Sequence, residues 1–295
     1  MFTDPSQVAD ALTAVGYLPD LGVATAAYLA IGMRRPLFLE GDPGVGKTAL
    51  ASALAQITDS ELIRLQCYEG IDVSQALYDW NFPRQILHLR AAGDSTADTA
   101  DTTKLEASLY QREFLIAGPV LRALESSGRA VLLIDEIDRA DDEFEAFLLE
   151  MLADDAVTIP ELGTIRAQVP PLVVLTSNRT REVHDALKRR CLYHWVEHPD
   201  LEREVDIIRR RVPGAAAAIA RQVALVVRRL RELGLVKPPG VAESIDWTQA
   251  LLMVGADRLD GPAATATLGA AVKYREDELR VRREVLPDLE ALLSQ

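Results

Sequence analysis

Residues 41–48 read GDPGVGKT, and no other stretch constrains the fold of the chain as tightly. The spacing G-x-x-x-x-G-K-[ST] turns the backbone so that successive N–H groups face one centre, which suits a phosphate. Gly41, Gly44 and Gly46 relieve the steric limits on that turn, because glycine enters positive φ freely. Asp42, Pro43 and Val45 fill the positions between them. Lys47 has the reach to touch outer phosphates, and the Thr48 hydroxyl can ligate Mg²⁺. Ahead of the loop, PLFL reads as a short buried strand over 36–40. Behind it, KTALASALAQI places Leu50, Ala53, Leu54 and Ile57 at helical spacing, so Ala49 and its neighbours open a helix over 47–57. An ordinary glycine turn requires neither flank. The expected class is α/β, a parallel sheet flanked by helices around a phosphate loop.

The remaining elements follow from periodicity. Two helices are expected over 6–33, broken at Pro19, and ELIRLQCY (61–68) reads as a strand. Residues 69–90 mix signals and resist assignment. The small, acidic stretch 91–104 reads as a mobile loop. GPVLRALESSG (118–128) is a helix, AVLLIDE (130–136) a buried strand, and DEFEAFLLEMLADD (142–155) a helix burying Phe144, Phe147, Leu148, Met151 and Leu152. AVTIPELGTIRA (156–167) is a hairpin turning near Gly163, PLVVLTSN (171–178) a strand, and CLYHWVEH (191–198) a last strand after a short helix ending at Arg190. Beyond Pro199 strand signals cease and four or five helices are expected. The division is thus 1–198, an α/β nucleotide-binding domain, and 199–295, a small α-helical lid domain.

Asp135 stands at the end of an apolar strand, where it suits holding Mg²⁺ through water. Glu136 follows and can polarise a water for attack on a terminal phosphate. Asn178 ends another apolar strand, where its amide can orient the same water. Arg189 and Arg190 close the next helix, as solvated side chains or as cations reaching a neighbouring subunit.

In this order the parts resemble an AAA+ ATPase of the MoxR family. GDPGVGKT is similar to its Walker A, and VLLIDEIDRA to its Walker B, which there is usually a variant of DEINRA. GPVLRAL and FLLEML also match. The resemblance implies ATP and Mg²⁺, with Asn178 as sensor 1 and Arg190 as arginine finger, Arg189 being the alternative. It also implies a homo-oligomer, a hexameric ring, acting as a chaperone in maturing a metalloenzyme or protein complex, with a protein client and a von Willebrand A domain partner. LQCYEGIDVSQALYDWNFPRQILHLR and ESIDWTQAL look like the CoxD-like branch, linked to molybdenum–copper carbon monoxide dehydrogenase. One position departs from the pattern. Where MoxR proteins carry a sensor 2 arginine, this chain reads SIDWTQA, with Ile245 or Asp246 in its place; Arg258 and Lys273 are the nearby basic residues.

The formal net charge of −13 disfavours a nucleic-acid partner, whose binding rests on phosphate neutralisation. It weighs against the runner-up, a DNA-remodelling AAA+ motor. An ATP-binding scaffold with little turnover is a third reading, and Glu136 argues against it. A GTPase needs an Asn-Lys-x-Asp motif, and the chain has no Asn-Lys pair. Two cysteines are too few for a disulfide framework, and MFTDPSQVAD lacks the features of a signal peptide. The longest apolar run, LGVATAAYLAIGM, is too short to span a bilayer, so a cytoplasmic location is expected. Cys191, His194 and His198 have ligand-like spacing, but a strand would set the two histidines about 13 Å apart, too far to share a metal. Cys67 reads as a small buried residue.

Overall fold

Apolar runs bounded by glycine or polar residues become strands. In the computed structural model, which describes residues 2–92 and 108–294, these are β1 (Leu37–Glu40), β2 (Glu61–Gln66), β3 (Tyr78–Trp80), β4 (Leu115–Ala117) and β5 (Ala130–Asp135). They continue with β6 (Ala156–Ile159), β7 (Gly163–Arg166), β8 (Leu172–Ser177) and β9 (Leu192–Trp195). Five of them form one sheet of order β2-β5-β8-β1-β9. β2 and β5 pair in parallel from Glu61↔Ala130 to Gln66↔Asp135, and β5 and β8 from Val131↔Leu172 to Ile134↔Leu175. β9 runs alongside β1 in the same sense, Leu192 N–H donating to Pro36 O at 2.8 Å and Val196 N–H to Glu40 O at 2.7 Å. All residues of β1 and β5 are buried, as expected of strands covered on both faces.

By packing, the chain falls into two units. One comprises Thr25–Leu39 and Ala51–His194, the other Met1–Ala24, Glu40–Leu50 and Trp195–Gln295. The first holds the apolar core around Leu132, Ile134, Leu121, Phe144 and Leu148. In the second, Ile208, Val223, Val227, Trp247 and Leu251 form a helical core. These units do not follow chain order as a boundary at residue 198 does, because the phosphate loop packs with the C-terminal helices.

Several elements differ in extent from the sequence reading. The helix at 118–128 occupies Pro119–Glu125, and the strand at 191–198 occupies only Leu192–Trp195. Residues 69–90 contain a short helix Val73–Leu77, capped by Asp72 onto Ser74 N–H, then β3, then the helix Phe82–Ala92. β3 pairs with β4, Tyr78↔Ala117 to Trp80↔Leu115; a partner this far along the chain leaves no local signature. β6 and β7 form the hairpin, with Gly163 at φ +80°. Beyond residue 199 six α-helices occur among the described residues, Leu201–Arg211, Ala217–Arg231, Val241–Met253, Gly261–Thr267, Arg275–Glu284 and Leu289–Leu293, rather than four or five. The extra one arises because Asp260 caps Ala263 N–H and Pro262 favours a first turn, starting a helix too short for periodicity to show. Residues 93–104 of the acidic stretch lie outside the described residues, while Ala91 and Ala92 close a helix. No helix among the described residues is long and apolar enough to cross a membrane.

Candidate functional site

The phosphate loop leaves β1 at the buried Glu40 and ends where Lys47 begins the helix Lys47–Ile57. Gly44 and Gly46 have φ of +79° and +98°, which a side chain would strain. Gly41 is required for another reason: a Cβ there would lie 2.4 Å from Val196 O. The N–H groups of Gly44, Val45 and Gly46 have no acceptor among the described residues. Lys47 is buried, and its Nζ donates to Gly41 O and Asp42 O, both at 2.8 Å. Free donors around a positive charge at a helix N-terminus fit the phosphates of a nucleotide. Asp42, Pro43 and Ala49 are exposed, Thr48 half-buried.

Against this loop lies the N-terminus of the helix Val241–Met253, a contact with no chain-local signature. Val241 N–H and Ala242 N–H donate to Gly44 O at 3.1 and 3.3 Å. The approach depends on Gly240, since a Cβ there would lie 2.6 Å from Pro43 O. Beside the loop opens a cavity of about 200 Å³, lined by Tyr17, Leu18, Val45, Val196, Ile207 and Ile245, with Asp20 and Arg203 among its polar groups. Arg203 pairs with Asp20 at 2.9 Å. Burial pushes the Tyr17 phenol well above its usual range, and Asp20 pushes it further. At the sensor 2 position Ile245 lines the cavity while Asp246 is exposed. Arg258 instead faces Asp260 at 3.6 Å, and Lys273 Nζ donates to Ala270 O at 2.7 Å. The cations at the cavity, Arg203 and Arg211, come from the helix Leu201–Arg211. His198 lies beyond β9, its Nε2 at 3.1 Å from Asp42 Oδ2. Burial holds its pKa below the ordinary value, Arg231 adding to this and Asp42 opposing it.

The acidic residues are set by β5 and β8. Asp135 is buried at the end of β5, and accepts from Thr176 Oγ1 at 2.5 Å and from the Arg64 guanidinium at 2.5 Å. Glu136 turns out of the strand with φ 56° and ψ 50°, a left-handed conformation that costs a non-glycine residue energy. Its N–H donates to Thr176 Oγ1 at 2.9 Å. Its carboxylate accepts from Gln66 Nε2 at 3.1 Å, Asn178 Nδ2 at 3.3 Å and Arg139 Nε at 2.9 Å. Asp138, buried, accepts from Asn178 N–H at 3.2 Å and Thr180 N–H at 2.8 Å, fixing the turn that carries Asn178. The structure thus brings Glu136 and Asn178 together. The hard oxygen donors of Asp135 and Thr48 are of the type Mg²⁺ prefers.

Arg189 and Arg190 are exposed at the end of the helix Asp185–Arg190, with no ion pair among the described residues. Arg35 Nη2 donates to the carbonyls of Arg189, Arg190 and Cys191 at 3.1, 3.0 and 3.4 Å. Burial pushes both thiols, Cys67 and Cys191, up to about 12, so they stay protonated.

A parallel sheet of this order, with a phosphate loop after β1 and a helical C-terminal region, defines a P-loop fold of the AAA+ class. The family model for the AAA domain (dynein-related subfamily) matches residues 36–191, over half of the chain, and the chain belongs to that family. Among its relatives, midasin of Giardia intestinalis is 50% identical over 48 residues, 16% of this chain and 1% of midasin. This chain therefore corresponds to a small part of that protein. The gas vesicle ATPase GvpN1 of Halobacterium salinarum is 25% identical over 276 residues, 88% of this chain and 76% of GvpN1. Among solved structures, a mutant RuvB of Thermotoga maritima superposes with a TM-score of 0.50 at 19% identity, covering 99% of this chain and 82% of RuvB. At that identity the likeness concerns the fold alone.

Proposed function

We propose that the chain hydrolyses ATP with Mg²⁺ and uses the energy to remodel a protein client. The observation that carries this reading is the carboxylate of Glu136, one residue past a buried strand and held by Gln66, Asn178 and Arg139. A base fixed by donors on several sides suits orienting one water rather than binding a ligand loosely. In this reading the loop N–H groups and Lys47 take the phosphates. Asp135, through water, and Thr48 hold Mg²⁺, which when bound offsets phosphate charge. The cavity beside Gly44, apolar with a few polar groups, takes the base. Asn178 orients the water, and Glu136 accepts its proton. Residues 199–295 act as the lid of a nucleotide-binding domain over 1–198.

The finer assignment is a MoxR-type AAA+ chaperone of the CoxD-like branch, cytoplasmic and working as a hexameric ring in maturation of a metalloenzyme or complex, with a von Willebrand A domain partner. It rests on the sequence resemblance; the 25% likeness to a gas vesicle ATPase supports the ATPase part of the reading. Glu136→Gln tests the catalytic core. ATP binding should persist while phosphate release falls by about 10²-fold or more. Unchanged release would remove Glu136 from the mechanism.

A further inference from the structure

The helix Phe82–Ala92 is amphipathic the wrong way round for a structural helix. Its inward side carries polar residues: Gln85, only 6% exposed, donates to Leu109 O at 2.7 Å, and His88 sits edge-on to Phe114 at 5.2 Å. Its outward side carries Phe82 (58% exposed), Ile86 (49%), Leu87 (65%) and Leu89 (36%). Phe82, Ile86 and Leu89 recur at i, i+4 and i+7, the spacing of anchors on a recognition helix. Left partly in water, these side chains forgo the gain of full burial, and folding has placed polar groups inside instead. The helix has two arginines, Arg84 and Arg90, and no acid. Arg84 is shared with Glu113, while Arg90 has no ion-pair partner among the described residues.

From this face we propose a docking surface for an extended client segment whose apolar side chains are flanked by carboxylates. The proposal rests on the client-remodelling reading above. Size and charge choose the occupant. Eleven residues make a helix roughly 16 Å long and about 10 Å wide, a face on the order of 200 Å². A stable dimer buries about 800 Å² per partner, so the face suits a short segment rather than a second copy. Arg90, set beside these apolar side chains on a helix that carries no acid, is a local match for carboxylates placed next to apolar groups.

The test uses the full chain and fluorescently labelled, reduced and carboxymethylated α-lactalbumin, an unfolded acidic probe, without nucleotide. Anisotropy should report binding that the double substitution Ile86→Ser, Leu87→Ser weakens by about 10-fold or more. Arg90→Glu should weaken it several-fold, but not when the probe's carboxylates have been amidated. Both positions are exposed, so circular dichroism should be unchanged. Equal affinity in the double variant, or no binding by the unsubstituted chain, overturns the proposal. So does a loss of assembly mass by light scattering, or of binding to phosphatidylglycerol vesicles, with probe binding intact. If the probe binds as expected while the unsubstituted chain releases no phosphate from ATP, the surface stands and the ATPase reading fails.

Discussion

Thr176 serves two acids with one hydroxyl. Its Oγ1 donates to Asp135 and accepts from the N–H of Glu136, at 2.5 and 2.9 Å. Valine has the same shape and neither capacity, so Thr176→Val should leave the carboxylate of Asp135 short of a donor and loosen the strained turn at Glu136. Hydrogen bonds to charged groups are worth about 1.5–3 kcal/mol. Phosphate release at saturating ATP should therefore fall about 10- to 100-fold, with nucleotide affinity unchanged. Asp135, Glu136 and Asn178 were legible in the sequence because each closes an apolar run, and chain-local patterns reveal such ends. Thr176, Gln66 and Arg64 were not, since their importance depends on which strand lies beside which. The one available signal was a threonine inside the otherwise apolar PLVVLT.

Among the elements, the helix Val241–Met253 depends on the loop it touches. Gly240 has an ordinary φ of −86°, so Gly240→Ala introduces no backbone strain; its effect is steric, a methyl 2.6 Å from Pro43 O. The helix N-terminus must then retreat from Gly44. We expect ATP affinity to drop about 10-fold or more, while far-ultraviolet dichroism and the helical core around Trp247 persist; isothermal titration with a non-hydrolysable ATP analogue reads this. Unchanged affinity would show that the helix contributes nothing to the nucleotide site. The sequence announced this helix through ESIDWTQAL but not its contact, because PPG ahead of it reads as a loop. Residues 69–90 were opaque for a related reason. Their apolar residues alternate between a short capped helix, a strand with a distant partner and a helix facing outward, so no single period runs through them.

For the whole molecule, the expected behaviour is that of subunits that complete one another. Arg189 and Arg190 stand exposed and unpaired among the described residues, and an arginine placed on the charge developing in phosphoryl transfer raises the rate by about 10³–10⁵. The rate per subunit should rise with protein concentration, and Arg190→Ala should abolish the rise while nucleotide still binds. Mixing Arg190→Ala with Lys47→Ala subunits, each inactive, should restore activity, because each supplies what the other lacks. Mixed assemblies that remain inactive would refute the shared arrangement. Arg35 bears on how readily such an assembly forms. By gripping three consecutive carbonyls it freezes the main chain beneath both arginines within the lone subunit. The backbone ordering, about 1–2 kcal/mol per residue, is then incurred at folding. In the shared arrangement expected above, a neighbour would have only to still two side chains, about 2 kcal/mol apiece, so exchange of subunits should be quick without blurring where the charge is delivered.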